Sequence, residues 1–188
     1  MNELPKLILA SASPRRAEIL TSVGWPFEKY VADIDETERE GEKPMDYVVR
    51  LAREKAEAVA ADHPDRVVLG ADTTVVVAGQ ITGKPADLDD ACRMLKLLSG
   101  NWHEVLTGIA IVEDGKTRTA MERTQVKFVH MSDAEISFLA TRGDPLDKAG
   151  AYAVQAQAAL FIESIMGDYW NVVGLPVALV YRMLHRAR

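Results

Sequence analysis

A carboxylate inside an apolar run is the residue that most needs a chemical explanation. Asp72 stands in Val67-Val68-Leu69-Gly70-Ala71-Asp72-Thr73-Thr74-Val75-Val76-Val77, a β-branched stretch that reads as a buried strand. An ionised carboxylate there is costly unless it is paired or binds a metal. Asp or Glu oxygens together with substrate phosphates suit magnesium or manganese, and His63, His103, His130 and His185 are too scattered to form a zinc set. Glu36, in Asp33-Ile34-Asp35-Glu36-Thr37-Glu38, is a candidate second carboxylate, against the plainer reading of a solvated charge run.

Positive charge is available at three other places. Ser11-Ala12-Ser13-Pro14-Arg15-Arg16 joins a strand end to a helix start, so free backbone N–H groups, two hydroxyls and two guanidiniums converge as a polyphosphate requires. A capped helix with two solvated arginines is the alternative. Lys55 falls on a helix, and Lys84 sits between Gly83 and Pro85 on a restrained loop, where it is either a phosphate ligand or an ordinary turn lysine. Pro145-Leu146-Asp147-Lys148-Ala149-Gly150-Ala151-Tyr152-Ala153-Val154-Gln155 reads as a long irregular segment, and Gln155 offers a donor and an acceptor suited to a base edge.

The elements that must hold these residues alternate between strand and helix. Leu7–Ala10 reads as a short buried strand, Ser13 as the cap of a helix to Leu20 stopped by Gly24, and 27–31 as a second strand. A charged loop over 33–43 leads to Pro44, which opens a helix to about Ala61 carrying Tyr47, Val48, Leu51, Lys55 and Val59 at helical spacing. Ala78-Gly79 turns the Asp72 strand into Gln80–Thr82, and Asp87 caps a helix to Leu98. Strands over 104–112 and 116–129 flank Glu113-Asp114-Gly115. Ser132 and Glu135 form a capping-box pattern for a helix to Thr141. A strand over 160–165 and an amphipathic helix over 176–185 complete an α/β fold with a mixed sheet.

Composition narrows the function classes. The 188 residues carry 22 Lys+Arg against 28 Asp+Glu, a formal charge of −6 that opposes a role in coating nucleic acid. At 48% hydrophobic and 27% charged the chain can bury a core, and with no linker or repeat a single domain over 1–188 is expected. Cys92 is the sole cysteine, which excludes an internal disulfide and fits a small apolar filler in a reducing compartment. The apolar Leu7–Ala10 run is too short for a signal segment or a membrane span, so a cytoplasmic, soluble protein is expected. Trp25, Trp102 and Trp170 read as packing residues.

Six segments in order resemble the Maf family of nucleoside triphosphate pyrophosphatases. They are Ala10-Ser11-Ala12-Ser13-Pro14-Arg15-Arg16, Arg50-Leu51-Ala52-Arg53-Glu54-Lys55-Ala56, Gly70-Ala71-Asp72-Thr73, Gly83-Lys84-Pro85, Leu146-Asp147-Lys148-Ala149-Gly150-Ala151-Tyr152 and Val173-Gly174-Leu175-Pro176. The resemblance implies a twisted mixed sheet with flanking helices, elongated, with a deep cleft between two lobes. It also implies hydrolysis of a nucleoside triphosphate to monophosphate and pyrophosphate, a divalent cation (Mg²⁺ or Mn²⁺), and often a homodimer. By the same resemblance Asp72 is the catalytic acidic residue, and Glu36, Lys55 and Lys84 surround the triphosphate, with Asp72 and Glu36 as metal ligands. Ser11, Ser13 and Arg16 form the phosphate-binding turn. Arg15, Thr73 and Gln155 match the branch acting on dTTP and UTP rather than the one acting on 7-methyl-GTP. Ala156-Gln157-Ala158 departs from the family's usual glycines, so strained alanines are expected if that backbone needs positive φ. A nucleotide-responsive regulator of cell division with little turnover, a γ-phosphatase, and a pyrophosphatase of other base specificity are the competing expectations.

Overall fold

Burial of the apolar stretches, with the helices packed by their apolar stripes, gives a seven-stranded mixed sheet flanked by helices in the computed structural model, which describes residues 4–185 of the chain. The strands are β1 (Leu7–Ala10), β2 (Phe27–Tyr30), β3 (Val67–Val77), β4 (Gln80–Thr82), β5 (Trp102–Glu113), β6 (Lys116–Phe128) and β7 (Ile162–Met166). The helices are α1 (Pro14–Ser22), α2 (Pro44–Ala60), α3 (Leu88–Leu98), α4 (Asp133–Arg142), α5 (Tyr169–Val173) and α6 (Val177–His185). Sheet order is β2-β1-β3-β5-β6-β7, with β4 on β3. β1 runs parallel to both neighbours, with Ala10 opposite Tyr30 and Gly70, whereas β4 and β7 pair antiparallel with β3 and β6.

The chain sorts into two compact units, each built from separated stretches. The first runs to Asp72 and adds Thr107–Glu122 and the chain from Gly174; the second is Thr73–Leu106 with Arg123–Val173. The boundary therefore falls inside β3, β5 and β6, which is why no linker marks it in the sequence.

In the first unit α2 lies on the sheet through Val48, Leu51, Ala52, Lys55, Ala56 and Val59, all buried and spaced as one helical stripe. Ala52, Ala56 and Val59 pack with Ile8, Ala10, Val68, Ala110 and Val112. The approach is close enough to demand glycine. A Cβ on Gly70 would lie 2.2 Å from the Ala52 carbonyl oxygen, and one on Gly108 would lie 2.1 Å from that of Val48. Arg118 bonds the Met183 carbonyl and Glu113, tying the hairpin to α6.

In the second unit Asp87 accepts from the Asp90 N–H to cap α3, and Ser132 and Glu135 complete their capping box on α4. Fully buried Asn171 donates to the Val105 carbonyl and to Thr124, whose hydroxyl also donates to the Asp168 carbonyl. His103, Phe128 and Tyr152 form an aromatic cluster in which His103 Nε2 and the Tyr152 hydroxyl are 2.7 Å apart. Burial pushes His103 down to about 4, and its Nδ1 has no hydrogen-bond partner among the described residues. The folded state thus prefers neutral His103 while the unfolded chain protonates near the ordinary value of about 6.5, so stability falls as pH drops from there to about 4. The total is roughly 3 kcal/mol. Urea unfolding at pH 7.5 and 4.5 should show this loss in the wild type and a smaller one in His103→Gln; equal losses would exclude His103 as its source.

Several local expectations are corrected. Ser13 occupies the N-cap position of α1 without a side-chain cap bond; its backbone N–H instead donates to Ser11 Oγ at 3.2 Å. The irregular segment is wound into 3-10 turns at Pro145–Asp147 and Ala149–Ala151, and a further turn at Gln157–Leu160 precedes β7. Local bonds from Ala159 N–H to Ala156 and from Phe161 N–H to Ala158 take Leu160 out of the strand and expose it. α5 is an unexpected helix, begun where Asp168 accepts from the Trp170 N–H at 2.8 Å. Ala156, Gln157 and Ala158 avoid positive φ; the left-handed alanines among the described residues are Ala78 and Ala151. Trp25 is buried, whereas Trp102 and Trp170 are partly exposed at 44% and 38%, Trp170 lying edge-on to Tyr169.

Candidate active site

The parallel register sets the site in the first unit. Ala10 opposite Gly70 brings the turn after β1 beside Ala71 and Asp72. This is the carboxyl end of adjacent parallel strands, the usual place for a ligand in such sheets. Asp72 shares a strand face with Gly70, and α2 rests on that glycine, so the next turn of α2 delivers Lys55 to the carboxylate. Lys55 Nζ lies 2.6 Å from Asp72 Oδ1 and 2.8 Å from Glu36 Oε1. One ammonium thus joins the buried carboxylate to the exposed one.

Electrostatics in this cluster oppose one another. Burial pushes the Asp72 carboxyl above its ordinary range, while the charges of Lys55 and Arg16 and the Lys55 hydrogen bond pull the other way. Burial likewise lowers Arg16, offset by the charge of Asp72. Arg16 Nε donates to the Gly174 carbonyl and Nη1 to Ser11 Oγ, both at 2.9 Å, so the guanidinium holds the turn it was expected to equip for phosphate. Two of the motif segments, around Arg16 and around Gly174, therefore meet through this side chain. Arg15 and Ser13 are half-buried on the same turn.

The loop bearing Glu36 has no regular structure yet is tied at several points. Arg50, itself buried, grips Glu42 with both sides of its guanidinium at 2.6 and 2.7 Å and donates to the Thr37 carbonyl at 3.1 Å. Arg50 holds the Glu42 carboxyl down at about 2. Tyr47 donates its hydroxyl to the Glu36 carbonyl at 3.1 Å, and Asp35 accepts from the Thr37 N–H. Burial, with Asp72 and Glu36 nearby, pushes the Tyr47 phenol up to about 12, so it stays protonated and able to donate. Glu36 is the candidate that the sequence offers in this stretch; Arg50 and Tyr47, which hold its loop, are not among the candidates. The clue was there in the pairing of a basic residue on α2 with an acidic run just before it.

The second unit carries the remaining candidates. Lys84 is exposed just after β4, and the Gly150 N–H bonds the Gly83 carbonyl at 3.0 Å, so two further motif segments adjoin. Buried Lys148 is neutralised by Asp144 and Asp147. Thr73 is half-buried on β3 and Gln155 is exposed just before the last 3-10 turn. Gly150 seats its α-carbon where a Cβ would come within 2.9 Å of a Val75 methyl, so the segment closes directly on β3.

Among the described residues no three His, Cys, Asp or Glu side chains are grouped to hold a metal unaided. Asp72 and Glu36, both in contact with the Lys55 ammonium, are the carboxylates this cluster supplies.

A family model described as Maf-like protein matches residues 6–187. The chain belongs to the Maf family. This Maf chain is 48% identical over 181 residues to a protein named dTTP/UTP pyrophosphatase from Bacillus cereus (strain G9842), covering 96% of this chain and 95% of that one. It is 49% identical over 187 residues to one of the same name from Anaeromyxobacter dehalogenans (strain 2CP-1 / ATCC BAA-258), covering 97% and 94%. The Staphylococcus aureus Ham1 protein superposes with a TM-score of 0.54 at 14% identity, covering 97% of this Maf chain and all of that one; the fold is shared. No helix among the described residues is long and apolar enough to cross a membrane.

Proposed function

We propose that this chain hydrolyses dTTP and UTP to the monophosphate and pyrophosphate. The observation that carries the reading is near-full-length identity of 48–49% to proteins named for that activity. The Asp72–Lys55–Glu36 cluster supports it, since it offers a buried carboxylate beside fixed positive charge.

The donor set fits a divalent cation. Two carboxylates with no nitrogen or sulfur donor suit magnesium or manganese, which ordinarily take their other ligands from water and phosphate. Asp72 and Glu36 would hold it. Such a cation would supply screening of the phosphate oxygens and a lowered pKa for a water bound to it.

The chain's own residues perform the rest. Water attacks the α-phosphorus, the bond from that phosphorus to the bridging oxygen breaks, and its electron pair leaves with pyrophosphate. Asp72 either takes the proton from the attacking water or, as a ligand of the cation, sets where that water is held. Lys55, Lys84 and Arg16 meet the charge that builds on the leaving group, and Ser11, Ser13 and the N-terminal N–H groups of α1 hold phosphate oxygens. Arg15, Thr73 and Gln155 read the base. Gln155 presents a donor and an acceptor to a uracil-type edge, and CTP, with an amino group in place of O4, leaves them mismatched at a cost of roughly 1–3 kcal/mol. A homodimer, a cytoplasmic location and no nucleic-acid polymer as partner belong to the same reading.

One assay tests it. Purified protein with Mg²⁺ or Mn²⁺ is given dTTP, UTP, CTP, GTP and 7-methyl-GTP, and the products are resolved. Monophosphate and pyrophosphate with highest kcat/KM on dTTP and UTP are expected. Diphosphate and orthophosphate would mean a γ-phosphatase, and binding without turnover would mean a regulator. A flat profile or a preferred purine base would overturn the base assignment alone.

A further inference from the structure

The Lys55 ammonium sits between the two carboxylates that would hold a divalent cation, 2.6 Å from Asp72 and 2.8 Å from Glu36. A divalent cation held by both carboxylates would compete with the ammonium for the same oxygens. Building on the function proposed above, we propose that Lys55 is an exchangeable counter-ion, displaced onto the substrate's phosphates when the cation enters, so that the cation binds tightly only together with a triphosphate.

Charge and packing both support the exchange. Asp72 and Glu36 carry two negative charges, and Lys55 with Arg16 returns two positive ones, since the Arg16 charge acts on Asp72 and Glu36 alike. Adding a divalent cation to a balanced cluster whose Asp72, Lys55 and Arg16 are buried is unfavourable by itself. Adding it with a triphosphate of about three to four negative charges restores the balance, and the freed ammonium gains a partner. Lys55 is also built to move at its head alone. Its Cα lies in the buried stripe of α2 between Leu51, Ala52, Ala56 and Val59, which fixes the stem, while the four-carbon side chain ends at Glu36, an exposed residue. By reciprocity, whatever the triphosphate adds to cation affinity the cation adds to triphosphate affinity.

Mn²⁺ titration followed by the paramagnetic resonance of the free ion reads this without turnover. The full chain is titrated alone and with a dTTP analogue whose α,β-bridging oxygen is replaced by NH, and the Mn²⁺ that the analogue binds in a protein-free titration is subtracted. The wild type should bind Mn²⁺ at least tenfold more tightly with the analogue than without. Lys55→Met should bind Mn²⁺ at least tenfold more tightly than the wild type without nucleotide and lose most of the gain from the analogue. Lys116→Met, which removes an equal charge at an exposed site of the same unit, should behave as wild type. Unchanged or weaker Mn²⁺ binding by Lys55→Met, with Lys55→Gln as the second variant, overturns the proposal, as does a wild type indifferent to the analogue. Should both variants fail to fold, the ammonium resonance of Lys55 in ¹⁵N-lysine-labelled wild type decides. It should shift with Mg²⁺ plus analogue and stay with Mg²⁺ alone; a shift with Mg²⁺ alone overturns the exchange. Absence of dTTP turnover alongside the expected Mn²⁺ behaviour would overturn the substrate reading and leave the counter-ion standing.

Discussion

Asp72→Asn is expected to lower kcat for dTTP by two decades or more while leaving the melting temperature within a few degrees of wild type. The amide is nearly isosteric but can neither accept the proton of the attacking water nor contribute charge to a cation, and loss of a general acid–base group alone is worth about 10²–10⁴-fold. Stability should survive because burial already works against the ionised carboxyl, and Lys55 keeps Glu36 as a partner when the charge is removed. Pyrophosphate release and thermal unfolding, measured on the same preparation, check both halves. Near-normal release would take Asp72 out of the mechanism. A collapse in melting temperature would make it a structural residue first.

Gly70→Ala is expected to cost more stability than any surface change and to lose activity with it. The added Cβ would stand 2.2 Å from the Ala52 carbonyl oxygen and 2.9 Å from the Ala56 Cβ and backbone nitrogen. Backbone cannot swing aside as a side chain can, so α2 must lift from β3. Overpacking of this kind costs about 1–3 kcal/mol and sometimes more. For a chain of this length that is a fall of roughly 3–10 °C in melting temperature. Because α2 carries Lys55 and Arg50, lifting it also parts Lys55 from Asp72 and strains the grip on Glu42. The expected result is therefore a joint loss, and Gly70→Ala with unchanged melting and turnover would show that the helix yields without disturbing the site.

Much of this molecule is written in short-range chemistry. The caps at Asp87 and Ser132, the Asp114-Gly115 turn and the stripe on α2 all depend on neighbours within a few residues, which a linear reading samples directly. The need of Asp72 for a partner was equally legible, because an ionised group in a β-branched run contradicts its surroundings whatever the fold. Lys55 carried the same contradiction on its helix, as a charged head in an otherwise apolar stripe. That these two answer one another was not legible. It follows from the parallel pairing of β1 with β3 and from the glycine contact that seats α2 on the sheet, each joining residues far apart in the chain. The placement of Glu36 likewise waits on Arg50, Tyr47 and Glu42, whose hydrogen bonds order a loop that composition describes only as charged. The 3-10 turns before β7 form through local bonds, with Tyr152 and Phe161 buried beside them. Sequence alone thus determined which residues are out of place unless they act, through local propensity and the cost of burying charge; tertiary structure decided which of them meet, because long-range pairing and close packing bring together atoms that no local pattern relates.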